Sequence, residues 1–395
     1  MKRISGGITR PVGWLQSGIP AGIKKKGADM ALIISRAPAT ACGVFTKNTF
    51  KAAPVMITKK HLRCGRHFGV IINSGNANCL TGAQGISDAL SVLNKLALLA
   101  DCKKEQLLVC STGIIGKRLP LAKMQNAMDR LFLSLHSHDS KSAARAIMTT
   151  DTFEKERAYS IDIANKKVRL AGIAKGAGMI SPDMATMIAV ITTDADISKA
   201  VLKQALKESV EDSFNSITVD GDMSTNDTVL ILANGLSGVT IKPSTPSYVK
   251  FVSALKLLCL DLARMIVSDA EGATKFIQID VNSAKSAGQA RAIGLKVANS
   301  PLFKTMCYGN NPNFGRIASA CGSIGQSVKA GRVDIYINGV MAVKSGIACQ
   351  SPLPKDLLAG KRIDIKIQLH SGRVCKRIYT SDLSPEYIRI NAAYS

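Results

Sequence analysis

Short apolar runs of strand length alternate with amphipathic stretches of helix length along all 395 residues, and no low-complexity linker separates them. A chain whose hydrophobic period keeps switching in this way must layer sheets against helices, because each element needs another to cover its apolar face. The strand-like runs are residues 31–35, 69–73, 168–172, 187–192, 228–233, 276–281, 333–337 and 362–369. The helix-like ones are 87–100, 121–135, 199–213 and 247–268, with Ser198 placed to cap the third. The expectation is an α/β protein of two or three domains, or one large intertwined unit. Hydrophobic residues make up 46% of the chain and charged residues 20%, enough to bury a core and to exclude disorder as the main state. No run approaches the apolar length of a membrane-spanning helix. The first residues, MKRISGG, carry basic charge without the apolar core of a secretory signal, so a cytoplasmic location is expected.

The net charge of +24 raises the question of nucleic acid. The basic residues are scattered, however, the longest cluster being Lys24, Lys25 and Lys26, and aromatic residues are only 5%. Without clustering or a stacking platform, no nucleic-acid partner is expected. None of the ten cysteines forms a C-x-x-C pair and the five histidines show no zinc-ligand spacing, so no metal or cofactor is expected and reduced thiols are.

Chemistry is concentrated in loops dense in Gly, Ser, Thr, Asn and Asp: INSGNANCLTG, CSTGIIG, TTDTFEK, AKGAGMISPDMATMIAVITT, ITVDGDMSTNDT, EGATK and GNNPNFGR. Such loops make tight turns whose N–H groups can face a ligand, and seven of them suggest a site assembled from many loops. The common phosphate, hydrolase and metalloprotease signatures are absent, and no histidine lies in any of these loops. A hydroxyl nucleophile here would need another base. One device is a Thr or Ser freed by chain cleavage, whose own α-amine accepts the proton. Thr186, in Met184-Ala185-Thr186-Met187 between a Ser-Pro-Asp turn and a β-rich run, is the candidate, although composition alone favours a packed strand threonine there.

KGAGMISPDMATMIAVITTDA closely resembles the cleavage-site signature of the ornithine acetyltransferase family, also called bifunctional glutamate N-acetyltransferase. NSGNANCLTG, STGIIG, TTDTFEK, ITVDGDMSTNDTVLILANG, EGATK, PNFGR and the ending YIRINAAYS resemble further blocks in the family's order, so the likeness covers nearly the whole chain. It implies stacked sheets between helical layers, similar to N-terminal-nucleophile hydrolases, with a smaller C-terminal α/β portion. It also implies self-cleavage between Ala185 and Thr186 into fragments 1–185 and 186–395, which stay together as a heterotetramer of two copies of each. Thr186 then carries acetyl from N-acetylornithine to glutamate in a ping-pong cycle within arginine biosynthesis.

By the same resemblance Thr112 and Gly113 stabilise the oxyanion, and Thr152, Lys175, Thr186, Glu271, Asn391 and Ser395 contact substrate. Lys175 suits a substrate carboxylate and Glu271 an ammonium, although Glu271 also reads as a helix N-terminal charge. The family's usual ending runs one residue beyond Ser395. Whether acetyl-CoA is a second donor is left open; the lack of a phosphate-cradling loop suggests a poor one. The rival readings are a self-cleaving aminopeptidase or amidase of related fold and, less favoured, a basic nucleic-acid binder.

Overall fold

The computed structural model describes residues 1–181, 187–325 and 328–393. Its chain forms two compact units. The first comprises Met1–Gly176, Asp183–Asn215 and Met223–Ile266. Its strands are β1 (Lys2–Ile4), β2 (Trp14–Ile19), β3 (Met30–Phe45), β4 (His67–Asn73), β5 (Leu107–Ser111), β6 (Lys155–Ile163), β7 (Lys166–Lys175), β8 (Ile188–Thr193), β9 (Asp196–Ile197), β10 (Thr228–Ala233) and β11 (Thr240–Ile241). Its helices are α1 (Ala53–His61), α2 (Gly82–Leu99), α3 (Leu121–Leu133), α4 (Ser142–Ala146), α5 (Lys199–Glu211) and most of α6 (Pro246–Ser268).

The layering follows from one long strand. The first part of β3, Met30 to Ser35, pairs antiparallel with β2 and β4, and its second part, Thr40 to Phe45, pairs with β10. Between them the register with β4 shifts and Pro38, which cannot donate a ladder hydrogen bond, allows the strand to leave one half-sheet for the other. One half is β2-β3-β4-β5 and the other runs β1-β6-β7-β8-β10-β3. Ala31, Ile33, Val70, Ile72 and Leu108 of the first half share a core with Ile173, Val190, Leu230 and Leu232 of the second, so the halves face each other. The outer face of the first half, Leu32, Ile71 and Val109, packs on α2 and α3 through Val92, Leu96, Met124 and Met128. On the outer face of the second, the Cys42 thiol donates to the Lys199 carbonyl of α5 (3.4 Å) and Gly172 lies against Leu262 of α6. Stacked sheets between helical layers are therefore present within this unit alone. Strands β8 (IAVITT) and β10 (TVLILA) sit parallel in the middle, buried at every position, which is why they read as continuous apolar runs.

The second unit comprises Ala177–Pro182, Ser216–Asp222 and Val267–Ser395. It contains β12 (Phe276–Ala284), α7 (Ala287–Ala298), α8 (Pro301–Tyr308), α9 (Phe314–Gly322), β13 (Asp334–Ile337), β14 (Val340–Lys344), β15 (Ile347–Ala348), β16 (Arg362–Gln368), β17 (Val374–Ser381) and α10 (Pro385–Ala393). The sheet order is β15-β14-β13-β16-β12-β17. Ile277, Ile279, Ile365 and Ile367 pack against Ile293, Val297 and Phe303 of the helices.

All eight strand-like runs and four helix-like stretches fall on elements of their type. Ser198 stands at the α5 N-cap in extended conformation, but its side chain makes no capping hydrogen bond. Helix α6 instead opens on Pro246 with the Thr245 hydroxyl accepting from the Tyr248 N–H (3.3 Å). The smaller C-terminal α/β portion has its first strand at β12. All ten cysteines are free, and no helix of the described residues is long and apolar enough to cross a membrane.

Candidate active site

In the first unit, β5 ends at Ser111, and Thr112 and Gly113 open the loop that follows, which lies along the loop after β4. Thr112 is buried and its N–H donates to the Asn73 carbonyl (3.0 Å). Further along, the Ala77 N–H donates to the Ile114 carbonyl (3.0 Å) and the Gly116 N–H to that of Cys79 (3.0 Å). Gly113 is obligatory here: its φ is +129°, and a Cβ would stand 2.4 Å from the Gly75 carbonyl carbon and 2.5 Å from the Asn76 nitrogen. Buried asparagines lock both loops. Asn73 donates to the Asn76 carbonyl (2.8 Å) and accepts from the Ser111 hydroxyl (2.6 Å), while Asn76 donates to the Arg118 carbonyl (2.9 Å). Asn226, just before β10, donates to the Ala77 (2.6 Å) and Ser111 (2.8 Å) carbonyls.

The next residue, Asp227, is fully buried and accepts from the Met187 N–H through Oδ1 (3.1 Å), while the Thr228 N–H donates to the Met187 carbonyl (3.1 Å). Among the described residues its Oδ2 has no hydrogen-bond partner. Burial pushes the Asp227 pKa well up; the Met187 N–H and the Lys175 charge oppose this without prevailing. Met187 immediately follows Thr186, so the strand beginning there is tied to the same segment that locks the Thr112–Gly113 loop.

A second cluster centres on Asp151. This buried carboxylate accepts from the Lys155 ammonium (2.6 Å), the Gly176 N–H (2.7 Å) and the Thr149 N–H (3.0 Å). Burial alone would raise its pKa, but the Lys175 and Lys155 charges and the Gly176 N–H hold it well below the usual carboxylate range. Lys155 and Lys175 are both buried. Lys24 joins the two clusters. Its stem lies over Gly75, where a Cβ would meet Lys24 Cγ at 2.7 Å, and its electrostatic neighbours include Asp151 and Lys175. The structure thus brings together the expected Thr112, Gly113 and Lys175, with Thr152 adjoining Asp151 in the chain.

In the second unit, Glu271 and Asn391 meet: the Asn391 amide donates to Glu271 Oε2 (2.8 Å). Gly178 makes room for this carboxylate, since a Cβ there would lie 2.3 Å from Glu271 Oε2. Glu271 stands in the turn after α6, not at a helix N-terminus, which removes that reading of its charge. Asp220 accepts from the Met179 (2.7 Å) and Ile180 (2.9 Å) N–H groups and from the Tyr387 hydroxyl (3.2 Å). Ala185, Thr186 and Ser395 lie outside the described residues. Among the described residues no group of three or more His, Cys, Asp or Glu could hold a metal.

Sequence reasoning singled out the blocks TTDT and STNDT but drew no role for Asp151, Asn226 or Asp227, and it noted Lys24 only as part of a charge run. Position beside a singled-out Thr was the one available signal for Asp151.

A family model described as "ArgJ family" matches residues 15–395. The "Arginine biosynthesis bifunctional protein ArgJ" of Caldanaerobacter subterraneus is 40% identical over 401 residues, covering 100% of both chains. That of Streptococcus thermophilus is 41% identical over 398 residues, again covering 100% of both. Among solved structures, the ornithine acetyltransferase of Mycobacterium tuberculosis complexed with ornithine is 36% identical, covers 46% of this chain and 97% of its own, and superposes with a TM-score of 0.43.

Proposed function

The chain belongs to the ArgJ family, and from that premise we propose that it is a self-cleaving glutamate N-acetyltransferase of arginine biosynthesis, moving acetyl from N-acetylornithine to glutamate through Thr186. The observation that carries the reading is the Thr112–Gly113 turn, locked by Asn226 beside the Asp227–Met187 hydrogen bond. That arrangement puts a donor-rich turn and the start of the nucleophile's strand on one rigid support.

The Thr186 hydroxyl attacks the Ala185 carbonyl, the acyl group moves from nitrogen to oxygen, and water hydrolyses the ester to leave a free α-amine on Thr186. Thr112 and Gly113 stabilise the negative oxygen of this intermediate and of the later acetyl-transfer ones. The amine, with an ordinary pKa of ~7.7–8.0, takes the hydroxyl proton as Thr186 attacks the N-acetyl carbonyl and returns it to the departing ornithine nitrogen. Glutamate's amine then attacks the acetyl-threonine ester, restoring the hydroxyl. Lys175 binds the substrate carboxylate, Thr152 and Asn391 contact substrate, and Glu271 faces an ammonium; Ser395 completes the contacts.

Cleavage need not separate fragments 1–185 and 186–395. Strand β7 of the first pairs with β8 of the second from Lys175↔Ile188 to Leu170↔Thr193, in the middle of one sheet. The proposal includes an assembly of two copies of each fragment.

Intact-mass spectrometry of the purified protein tests it. Two chains are expected, the second beginning Thr-Met-Ile-Ala and gaining acetyl on incubation with N-acetylornithine. Thr186→Ala should stay uncut and inactive. Cleavage of the alanine variant at the same bond would overturn the mechanism, and hydrolysis of the acetyl-enzyme without transfer to glutamate would point to an amidase.

A further inference from the structure

Of the three consecutive lysines at 24–26, Lys25 and Lys26 are exposed, whereas Lys24 is built in. The buried Asp29 carboxylate accepts from the N–H groups of Ala21 (2.6 Å), Ile23 (2.7 Å) and Lys24 (2.9 Å), fixing the backbone of the loop between β2 and β3. The Asp29 carbonyl in turn accepts from the Ser74 N–H (2.9 Å), which ties this loop to the one that backs Gly113. The Lys24 stem packs over Gly75, and the ammonium donates to the Met148 carbonyl (2.9 Å). Among the described residues no carboxylate lies within ion-pair distance of it. A half-buried ammonium spending one of three protons on a neutral carbonyl, beside the oxyanion turn and in the field of Lys175, has unspent capacity for an anion.

The two substrates of the proposed reaction differ in the charge that such a group would read. Glutamate carries two carboxylates, and N-acetylornithine carries one. With Lys175 serving the carboxylate common to both, the second cation has a target only on glutamate. We propose that Lys24 is a specificity-determining residue that binds the side-chain carboxylate of glutamate in the second half of the ping-pong cycle; this rests on the functional reading above. Burial lowers the Lys24 pKa, with Asp29 and Asp151 opposing it and Lys175 adding to it, so an arriving carboxylate meets a poorly compensated cation.

Ping-pong kinetics let the halves be read apart. Enzyme acetylated by N-acetylornithine is mixed in single turnover with glutamate or with glutamine, whose amide is isosteric but uncharged. Lys24→Met keeps the stem over Gly75 and removes the charge. Its acetylation by N-acetylornithine should stay within about 3-fold of wild type. Its kcat/KM for glutamate should fall about 10- to 100-fold, chiefly through KM, as expected for a lost charge-assisted hydrogen bond. Glutamine should be used as by wild type, so the preference for glutamate collapses, while Lys24→Arg should retain it. Lys24→Gln, read in the same assay, guards against misfolding of the methionine variant. Survival of the glutamate preference in both uncharged variants, or an equal loss in both half-reactions, would overturn the proposal. A wild type that never forms acetyl-Thr186 would instead overturn the functional reading and this inference with it.

Discussion

Gly113→Ala is the sharpest test of the oxyanion role proposed for the Thr112–Gly113 turn. The backbone at φ +129° is a region that L side chains rarely adopt, and occupying it costs about 1–3 kcal/mol. The added methyl would also stand 2.4 Å from the Gly75 carbonyl carbon and 2.5 Å from the Asn76 nitrogen, well inside an ordinary contact. Both are backbone atoms held by the Asn73 and Asn76 hydrogen bonds, so the new side chain must push the turn itself away. Displacing one oxyanion donor typically costs about 10²–10³ in kcat, which is the loss expected in acetyl transfer. Self-cleavage should slow with it, because both reactions pass through a tetrahedral oxyanion. Gly116→Ala is the control within the same loop: φ is +81°, but nothing lies within 4 Å of where the added methyl would sit, so it should lose stability and keep near-normal rates. Steady-state transfer rates and melting temperatures measured on both variants decide the matter. Wild-type kcat in a folded Gly113→Ala enzyme, or equal activity losses at the two positions, would refute the reasoning.

Two further outcomes follow from the buried carboxylates. Asp151→Asn removes the carboxylate charge that the fully buried Lys155 ammonium pairs with, and a thermal or denaturant melt at neutral pH should show a loss of about 3–5 kcal/mol. Because the folded Asp151 pKa lies below its unfolded value, its contribution is present above about pH 4 and fades as pH falls below that, so the variant and wild type should converge in acid. Asp227 is the opposite case: its folded pKa is raised, so wild-type stability should decline as pH rises from about 4 toward that raised value. Asp227→Asn, which keeps an acceptor for the Met187 N–H, should remove that slope in melts taken across the range; an unchanged slope would show that Asp227 does not titrate there.

Local pattern determined much of this protein. The runs at 228–233 and 362–369 became β10 and β16 because hydrophobic period and β-branching are properties of neighbouring residues. The family blocks mark Thr112, Gly113 and Lys175 in the sequence itself. Local pattern could not show that β3 continues past Ser35 through Thr40 to Phe45, because the alternation there runs through small residues and the strand exists by pairing with β10. Nor could it distinguish Lys24 from Lys25 and Lys26, or Lys155 from the many solvated lysines of a chain with net charge +24. Those distinctions depend on burial and on charges brought close by residues far apart in sequence. Asp29, Gly75, Met148 and Asp151 give Lys24 its character, and only the folded chain sets them around it.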